Sequence, residues 1–234
     1  MKKIMFNDKY GLTKDVIEGR KTQTRRIINP QPMYDENVGI CWKGYAYGIN
    51  FSGKEGAYNN FISGTEYDKS CKRYRVGEIV AVAQSYEVVS DILSRTPSKE
   101  RAEYYCKIMK TCYPKEEIPR DKEDIAGWTN KMFVKAELMP HQIRITNVRI
   151  ERLQDISDDD CLAEGIVVNE PKIKGGVKSY YPCEYLKSCA DKVGWGRVFD
   201  TPRKSYAELI DKVSGKGTWE SNPYVFVYDF ELIK

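Results

Sequence analysis

Residues 20–26, RKTQTRR, carry four cations and two hydroxyl groups within seven positions. Arginine binds phosphate through paired N–H groups and lysine adds a compact point charge, so this composition suits an anion-binding site. A solvated basic turn would have the same composition, and the residues alone leave both interpretations open. On an extended strand, alternation would place Lys21, Gln23 and Arg25 on one face and Thr22, Thr24 and Arg26 on the other.

His141 is the single histidine among 234 residues. One histidine cannot form a two-histidine metal site, and any Ser-His-Asp or Cys-His mechanism would have to use it. We therefore expect no metal and no cofactor, and we expect any catalysis to depend on lysine, threonine, carboxylate or tyrosine groups. The seven cysteines form no CxxC pair, which favours reduced thiols.

The composition is that of a folded protein, with 41% hydrophobic residues and a formal net charge of +4. The chain has no run of apolar residues long enough to span a membrane, and its first ten residues contain no apolar signal segment. We therefore expect a cytoplasmic protein without a membrane partner. The charge is too small to indicate nucleic-acid binding by itself.

Hydrophobic periodicity predicts short strands and short helices. Strands are expected at residues 3–6, 21–26, 79–83, 142–153 and 223–233. Helices are expected after a possible N-cap at Thr13, from Ser157 to Glu164 and across residues 206–213, whereas residues 101–112 fit either state. Because no strand–helix–strand rhythm is present, the pattern favours an α+β or mostly β fold with a small mixed or closed barrel over a doubly wound sheet.

Six short motifs follow one another along the chain: GRKTQTRR at 19–26, VGE at 76–78, MP at 139–140, VRIERLQDIS at 148–157, DDDCLAEG at 158–165 and WESNPYV at 219–225. Their order resembles that of ASCH domains of the phage and bacterial type, which belong to the PUA-like superfamily. The resemblance implies one domain over residues 1–234, with insertions at 29–74, 90–128 and 166–202.

The resemblance also implies a PUA-like β-barrel with flanking short helices and inserted loops, whose partner is RNA or a nucleoside. Some compact relatives use a Lys/Thr/Glu triad to remove the acetyl group of N4-acetylcytidine. By motif position, the corresponding residues here are Lys21, Thr24 and Glu164. The resemblance implies that Thr24 is the nucleophile, that Lys21 is the base and that Glu164 orients the lysine or relays its proton.

The chain departs from these relatives after the VGE turn. Many of them carry WVRETW there, whereas residues 81–86 of this chain are AVAQSY. The charged Arg and Glu of that motif are therefore absent, and Gln84 can only form hydrogen bonds. We expect Gln84 and the arginines Arg20, Arg25 and Arg26 to contact the ligand. The aromatic residues at 42–61 could stack on bases or could simply cover one end of the barrel.

Three functions compete on this sequence evidence. The chain could bind RNA or a modified nucleoside without turnover. It could be an amidohydrolase that deacetylates nucleosides such as N4-acetylcytidine. It could also be a phage-derived accessory or morphogenesis-associated protein, an interpretation that names a genomic setting rather than a chemistry.

Overall fold

The structure is a computed structural model that describes residues 1–36, 39–42, 45–47, 61–62, 73–95, 98–114, 121–171, 176–184, 186–188 and 197–233. It combines a mixed five-stranded sheet with helices, which confirms the α+β class. Within these residues no helix is long and apolar enough to cross a membrane. Of the aromatic residues at 42–61, Phe51 and Tyr58 lie outside the described residues, and the structure describes the others only as strand backbone.

The strands are β1 (Lys2–Ile4), β2 (Gln23–Ile27), β3 (Met33–Asp35), β4 (Gly39–Trp42), β5 (Tyr45–Tyr47), β6 (Phe61–Ile62), β7 (Ile79–Val82), β8 (Gln142–Arg152), β9 (Val167–Asn169), β10 (Ser179–Tyr181) and β11 (Tyr224–Ile233). The helices are α1 (Leu12–Ile17), α2 (Tyr86–Leu93), α3 (Ser98–Cys112), α4 (Asp158–Ala163), α5 (Pro202–Ser214) and α6 (Thr218–Ser221). The five-stranded sheet has the order β1-β7-β8-β11-β2, and two smaller sheets have the orders β3-β4-β5-β6 and β10-β9.

The chain divides into two compact units that interleave in sequence. Unit 1 comprises residues 1–20, 79–144 and 231–234, and unit 2 comprises residues 21–78 and 145–230. Strands β8 and β11 each contribute residues to both units. The organisation as one domain stays a prediction.

Unit 1 is built around the apolar strand β7, which pairs in parallel with β1 and antiparallel with the start of β8. Its side chains from Val80 to Val82 are completely buried, as expected for a continuous apolar strand. The core of this unit consists of Ala81, Ala83, Tyr86, Ile108, Met109, Ile125, Trp128, Val134, Ala136, Leu138 and Met139. Residues 101–112, whose state the sequence left open, belong to helix α3.

Helix α1 begins differently from the prediction. Its N-cap is Gly11, which has the left-handed φ of 71° that glycine adopts without strain. Thr13 is not the cap, because its side chain is buried and its hydroxyl donates to Asp8 instead. The preceding short 3₁₀ turn leads directly into the helix, so the helix starts before Thr13 is reached.

Unit 2 contains the antiparallel pair β2–β11, in which Gln23 lies opposite Asp229 and Thr24 lies opposite Tyr228. Helix α4 packs against both β2 and α5. It begins where the sequence predicts, because the Ser157 hydroxyl accepts a hydrogen bond from the backbone N–H of Asp160 at 3.1 Å. It stops before Gly165, whose φ is 102°.

We expect Gly127→Ala to destabilise the protein by about 1–3 kcal/mol. Gly127 has a φ of 95°, and an added Cβ would lie 2.8 Å from Cε2 of Tyr86. Urea unfolding measures the loss. Gly77→Ala is the matched control, because Gly77 has a φ of 80° but open space around its Cβ position. Equal losses in the two variants would contradict the crowding argument.

Candidate active site

Backbone hydrogen bonds of Thr22, the residue before β2, connect the chain there to the end of helix α4 and to strand β11. The N–H of Thr22 donates to the carbonyl of Ala163 at 2.9 Å, and its carbonyl accepts from the N–H of Phe230 at 2.9 Å. Residue 21 therefore lies beside residue 164, although 143 positions separate them in sequence. This backbone arrangement brings together two of the three residues that the sequence singled out.

Lys21 and Glu164 form a buried ion pair. The Lys21 Nζ donates to Oε2 of Glu164 at 2.5 Å and to the Glu164 backbone carbonyl at 2.7 Å. Only 2% of the lysine side chain and 4% of the glutamate side chain are exposed. Burial lowers the pKa of Lys21 below its usual value, and the nearby Arg26 and Arg25 lower it further, although Glu164 partly opposes the shift.

Arg25 lies in the same region, with its side chain fully buried among carboxylates. Its Nη2 donates to Glu151 at 2.6 Å and to Asp160 at 2.9 Å, and its Nη1 lies 3.3 Å from Glu164. Burial alone would lower the pKa of Arg25, but the carboxylates, Glu164 first, raise it above its usual value. The guanidinium group predicted to hold a ligand anion is thus bound to anions of the protein itself.

These residues belong to a larger set that we call the charge cluster: Lys21, Gln23, Arg25, Arg149, Glu151, Asp160, Glu164 and Asp229. Within it, Arg149 donates to Asp160 at 2.7 Å and to Asp229 at 2.8 Å. Three cations face four carboxylates, so the cluster carries a formal charge of 3 − 4 = −1. The cations of the cluster are therefore already in contact with carboxylates of the protein.

Asp160 has a different role from the one that its position in the helix suggests. The sequence places it at the capping-box position of α4, where its carboxylate would bond the cap residue. Instead its carboxylate accepts from Gln23 at 2.9 Å and from Arg25 and Arg149. Burial would raise the pKa of Asp160, but these donors lower it below its usual value.

Thr24 lies on the opposite face of β2 from Arg25, as strand alternation predicts. Its side chain is buried, and it shares its face with Arg26. Among the residues that the structure describes, the Thr24 hydroxyl makes no hydrogen bond with Lys21 or Glu164. Arg26, which the sequence predicts to contact the ligand, has a pKa that burial lowers below its usual value. The structure thus joins Lys21 to Glu164 but not to Thr24.

The two other predicted ligand contacts, Arg20 and Gln84, belong to unit 1. Arg20 donates to Asp15, at 3.1 Å from its Nε, and also to Glu18. The buried Gln84 has its Oε1 2.7 Å from Nδ1 of His141. Both side chains are therefore engaged with protein groups, and their contact with a ligand stays a prediction.

Sequence reasoning missed the carboxylates that surround Arg25. A signal for one of them existed, because Glu151 is two residues from Arg149 on β8 and so shares a face with it. The pairing of Asp229 with Gln23 depends on the register of β11 against β2, which the sequence does not show. Across the described ranges, no group of three or more histidine, cysteine or carboxylate residues is placed to hold a metal ion.

Comparison of the chain with protein-family models, with curated proteins and with solved structures finds no match. The ASCH resemblance accordingly rests on the six motifs of the sequence.

At a pH below the pKa of Lys21, where the pair is charged, we expect Lys21→Met alone to destabilise the protein by about 3–5 kcal/mol, because the buried Glu164 carboxylate loses its lysine and keeps only the longer contact with Arg25. Adding Glu164→Gln removes the carboxylate charge and should restore most of the loss. A double-mutant cycle by urea unfolding measures the coupling. Strict additivity of the two single effects would contradict the pairing.

The matched control is Lys204→Met. The Lys204–Asp200 pair has a similar N···O distance, 2.7 Å, but its side chains are 63% and 64% exposed. Breaking such a surface pair changes stability by about 0–1 kcal/mol. The comparison therefore isolates the effect of burial from that of ion pairing.

Proposed function

We propose that the chain is an ASCH-type protein of the PUA-like superfamily, with the five-stranded sheet as part of its barrel. We further propose that unit 2 hydrolyses the acyl amide of a modified nucleoside such as N4-acetylcytidine. The order of the six sequence motifs supports the proposed membership of the ASCH family. The buried Lys21–Glu164 pair supports the activity, and it is the observation on which the proposal depends.

A buried lysine with a lowered pKa is suited to accept a proton near neutral pH. Most lysines are protonated there and cannot act as bases. Burial lowers the pKa of Lys21 and two neighbouring arginines lower it further, against the opposing effect of Glu164. Glu164 fixes the position of the amine through its carboxylate and its carbonyl. The pair thus provides a positioned base without histidine.

In the proposed reaction, Oγ1 of Thr24 attacks the acyl carbonyl carbon while the neutral amine of Lys21 takes the hydroxyl proton. The C–N bond then breaks, and Lys21 returns the proton to the departing N4 nitrogen. Water cleaves the resulting threonine ester, which releases acetate and restores the hydroxyl. Because the amine must be unprotonated at the start, the rate should fall as the pH falls through the pKa of Lys21.

The first step needs a hydrogen bond between Thr24 and Lys21 that the resting protein lacks. We propose that substrate binding completes this contact, as catalytic hydrogen bonds often tighten only in the complex. The ion pair is almost wholly buried, so substrate entry must displace the side chains around it. We therefore expect association to be slower than for a preformed open site.

The direct test is incubation of the protein with N4-acetylcytidine, followed by chromatography of cytidine and acetate. We expect turnover in the wild type and a loss of kcat/KM of about 100-fold or more in Lys21→Met and Thr24→Val. Thr24→Ser should remain active because it retains the hydroxyl. Thr22→Val is the control, since Thr22 is an exposed threonine two residues before Thr24.

Turnover that is unchanged in Lys21→Met, or in Thr24→Val, would contradict the assignment of that residue. Correct folding of each variant is verified by circular dichroism and thermal unfolding, so that a loss of activity is not a loss of structure.

The second candidate function is binding of RNA or a modified nucleoside without turnover. It is favoured by the absence, within the described part of the chain, of a hydrogen bond between Thr24 and Lys21. The same experiment separates the two functions. Equilibrium binding of N4-acetylcytidine with no release of cytidine, equally strong in the wild type and in Thr24→Val, identifies a binding module.

A further inference from the structure

Tyr206 carries a hydroxyl group that is buried without a hydrogen-bond partner in the described part of the chain. The residue lies on helix α5 and is 1% exposed. A buried polar group left unpaired costs free energy, and such groups are uncommon in folded proteins. A phenylalanine would fill the same space without that cost, so the hydroxyl calls for an explanation other than packing.

The ring of Tyr206 lies against the charge cluster. Its centroid is 5.9 Å from the guanidinium carbon of Arg25, and Arg25 in turn contacts Glu164. On another side the ring meets Trp219 edge-on, with the centroids 6.2 Å apart. These contacts involve the ring rather than the hydroxyl, and they place the side chain beside Arg25 and the charge cluster.

The Tyr206 hydroxyl stays protonated at any ordinary pH and can therefore donate a hydrogen bond. Burial raises the pKa of Tyr206 well above its usual value, and the charge of Glu164 raises it further. A phenol that stays protonated and has no partner can donate to an oxygen or nitrogen that enters the site. The charge cluster already has one more carboxylate than cations, so a neutral acceptor fits better than an anion.

We propose that the Tyr206 hydroxyl donates a hydrogen bond to a carbonyl oxygen of the substrate, so that the site selects a neutral, carbonyl-bearing ligand. This inference rests on the proposed function and adds a residue that neither the sequence motifs nor the proposed mechanism includes. On an acyl amide the acceptor is the carbonyl oxygen that gains negative charge as the tetrahedral intermediate forms. A donor placed there stabilises the transition state more than the ground state.

Tyr206→Phe tests the proposal, because it removes the hydroxyl and retains the ring and its contacts. We expect the melting temperature to stay the same or to rise by about 2–4 °C, since an unpaired buried group is removed. With N4-acetylcytidine as the probe, we expect kcat/KM to fall about 10-fold or more, mainly through kcat. A merely structural tyrosine would give neither this combination nor the kcat effect.

Tyr104→Phe is the matched control. Tyr104 also has a buried hydroxyl with no hydrogen-bond partner among the described residues, but it lies on α3 in unit 1. Its substitution should leave kcat/KM unchanged.

Each outcome decides the inference. A lower melting temperature in Tyr206→Phe would show that the hydroxyl has a structural partner, and unchanged kcat/KM would show that it does not reach the substrate; either result overturns the proposal. If the wild type itself neither binds nor cleaves N4-acetylcytidine, the proposed function fails and this inference fails with it. If the wild type is active, Lys21→Met and Thr24→Val are inactive, and Tyr206→Phe has the wild-type kcat/KM, the proposed function stands without Tyr206.

Discussion

The burial of Lys21 against Glu164 is the constraint on which the candidate site depends. An isolated ammonium group in a protein interior would be strongly destabilising, so the lysine needs both oxygens that residue 164 supplies. Those oxygens are present because backbone hydrogen bonds fix the start of β2 to the end of α4. The ion pair, the strand and the helix end thus depend on one another.

The carboxylates around this pair alter the interpretation of the basic segment at residues 20–26. As a sequence, residues 20–26 suggest a surface that attracts phosphate. In the structure, Arg25 is fully buried and bound to three carboxylates, while Arg20 is paired with Asp15 and Glu18. Cations neutralised in this way contribute little to phosphate binding. Pairing of Arg20 and Arg25 with the protein's own carboxylates is consistent with the proposal of a neutral ligand such as a nucleoside.

Local features of the fold could be predicted from the sequence, because they depend on neighbouring residues. The cap at Ser157 and the end of α4 before Gly165 follow from side-chain hydrogen bonding and from the conformational freedom of glycine. The alternation of Gln23 and Arg25 against Thr24 follows from the geometry of a strand. The α+β class follows from the mixture of short periodic segments.

The partners of those side chains could not be predicted in the same way. Which carboxylate meets Arg25 depends on strand register and on the packing of α4 against β2, which are contacts between distant segments. Asp160 illustrates the difficulty, because its local position indicates a capping role while its carboxylate binds Arg25 and Arg149. The hydroxyl of Tyr206, which has no hydrogen-bond partner among the described residues, likewise could not be predicted, since its helix position is that of an ordinary core residue.

The most direct test of this account is the pKa of Lys21, measured by NMR titration of its labelled side-chain nitrogen. The assignment of the signal comes from its loss in Lys21→Met. The account predicts that the amine titrates below the ordinary lysine value of 10.5, because burial and two arginines oppose its charge more than Glu164 supports it. A pKa at or above that value would show a permanently charged structural lysine and would contradict its role as the base.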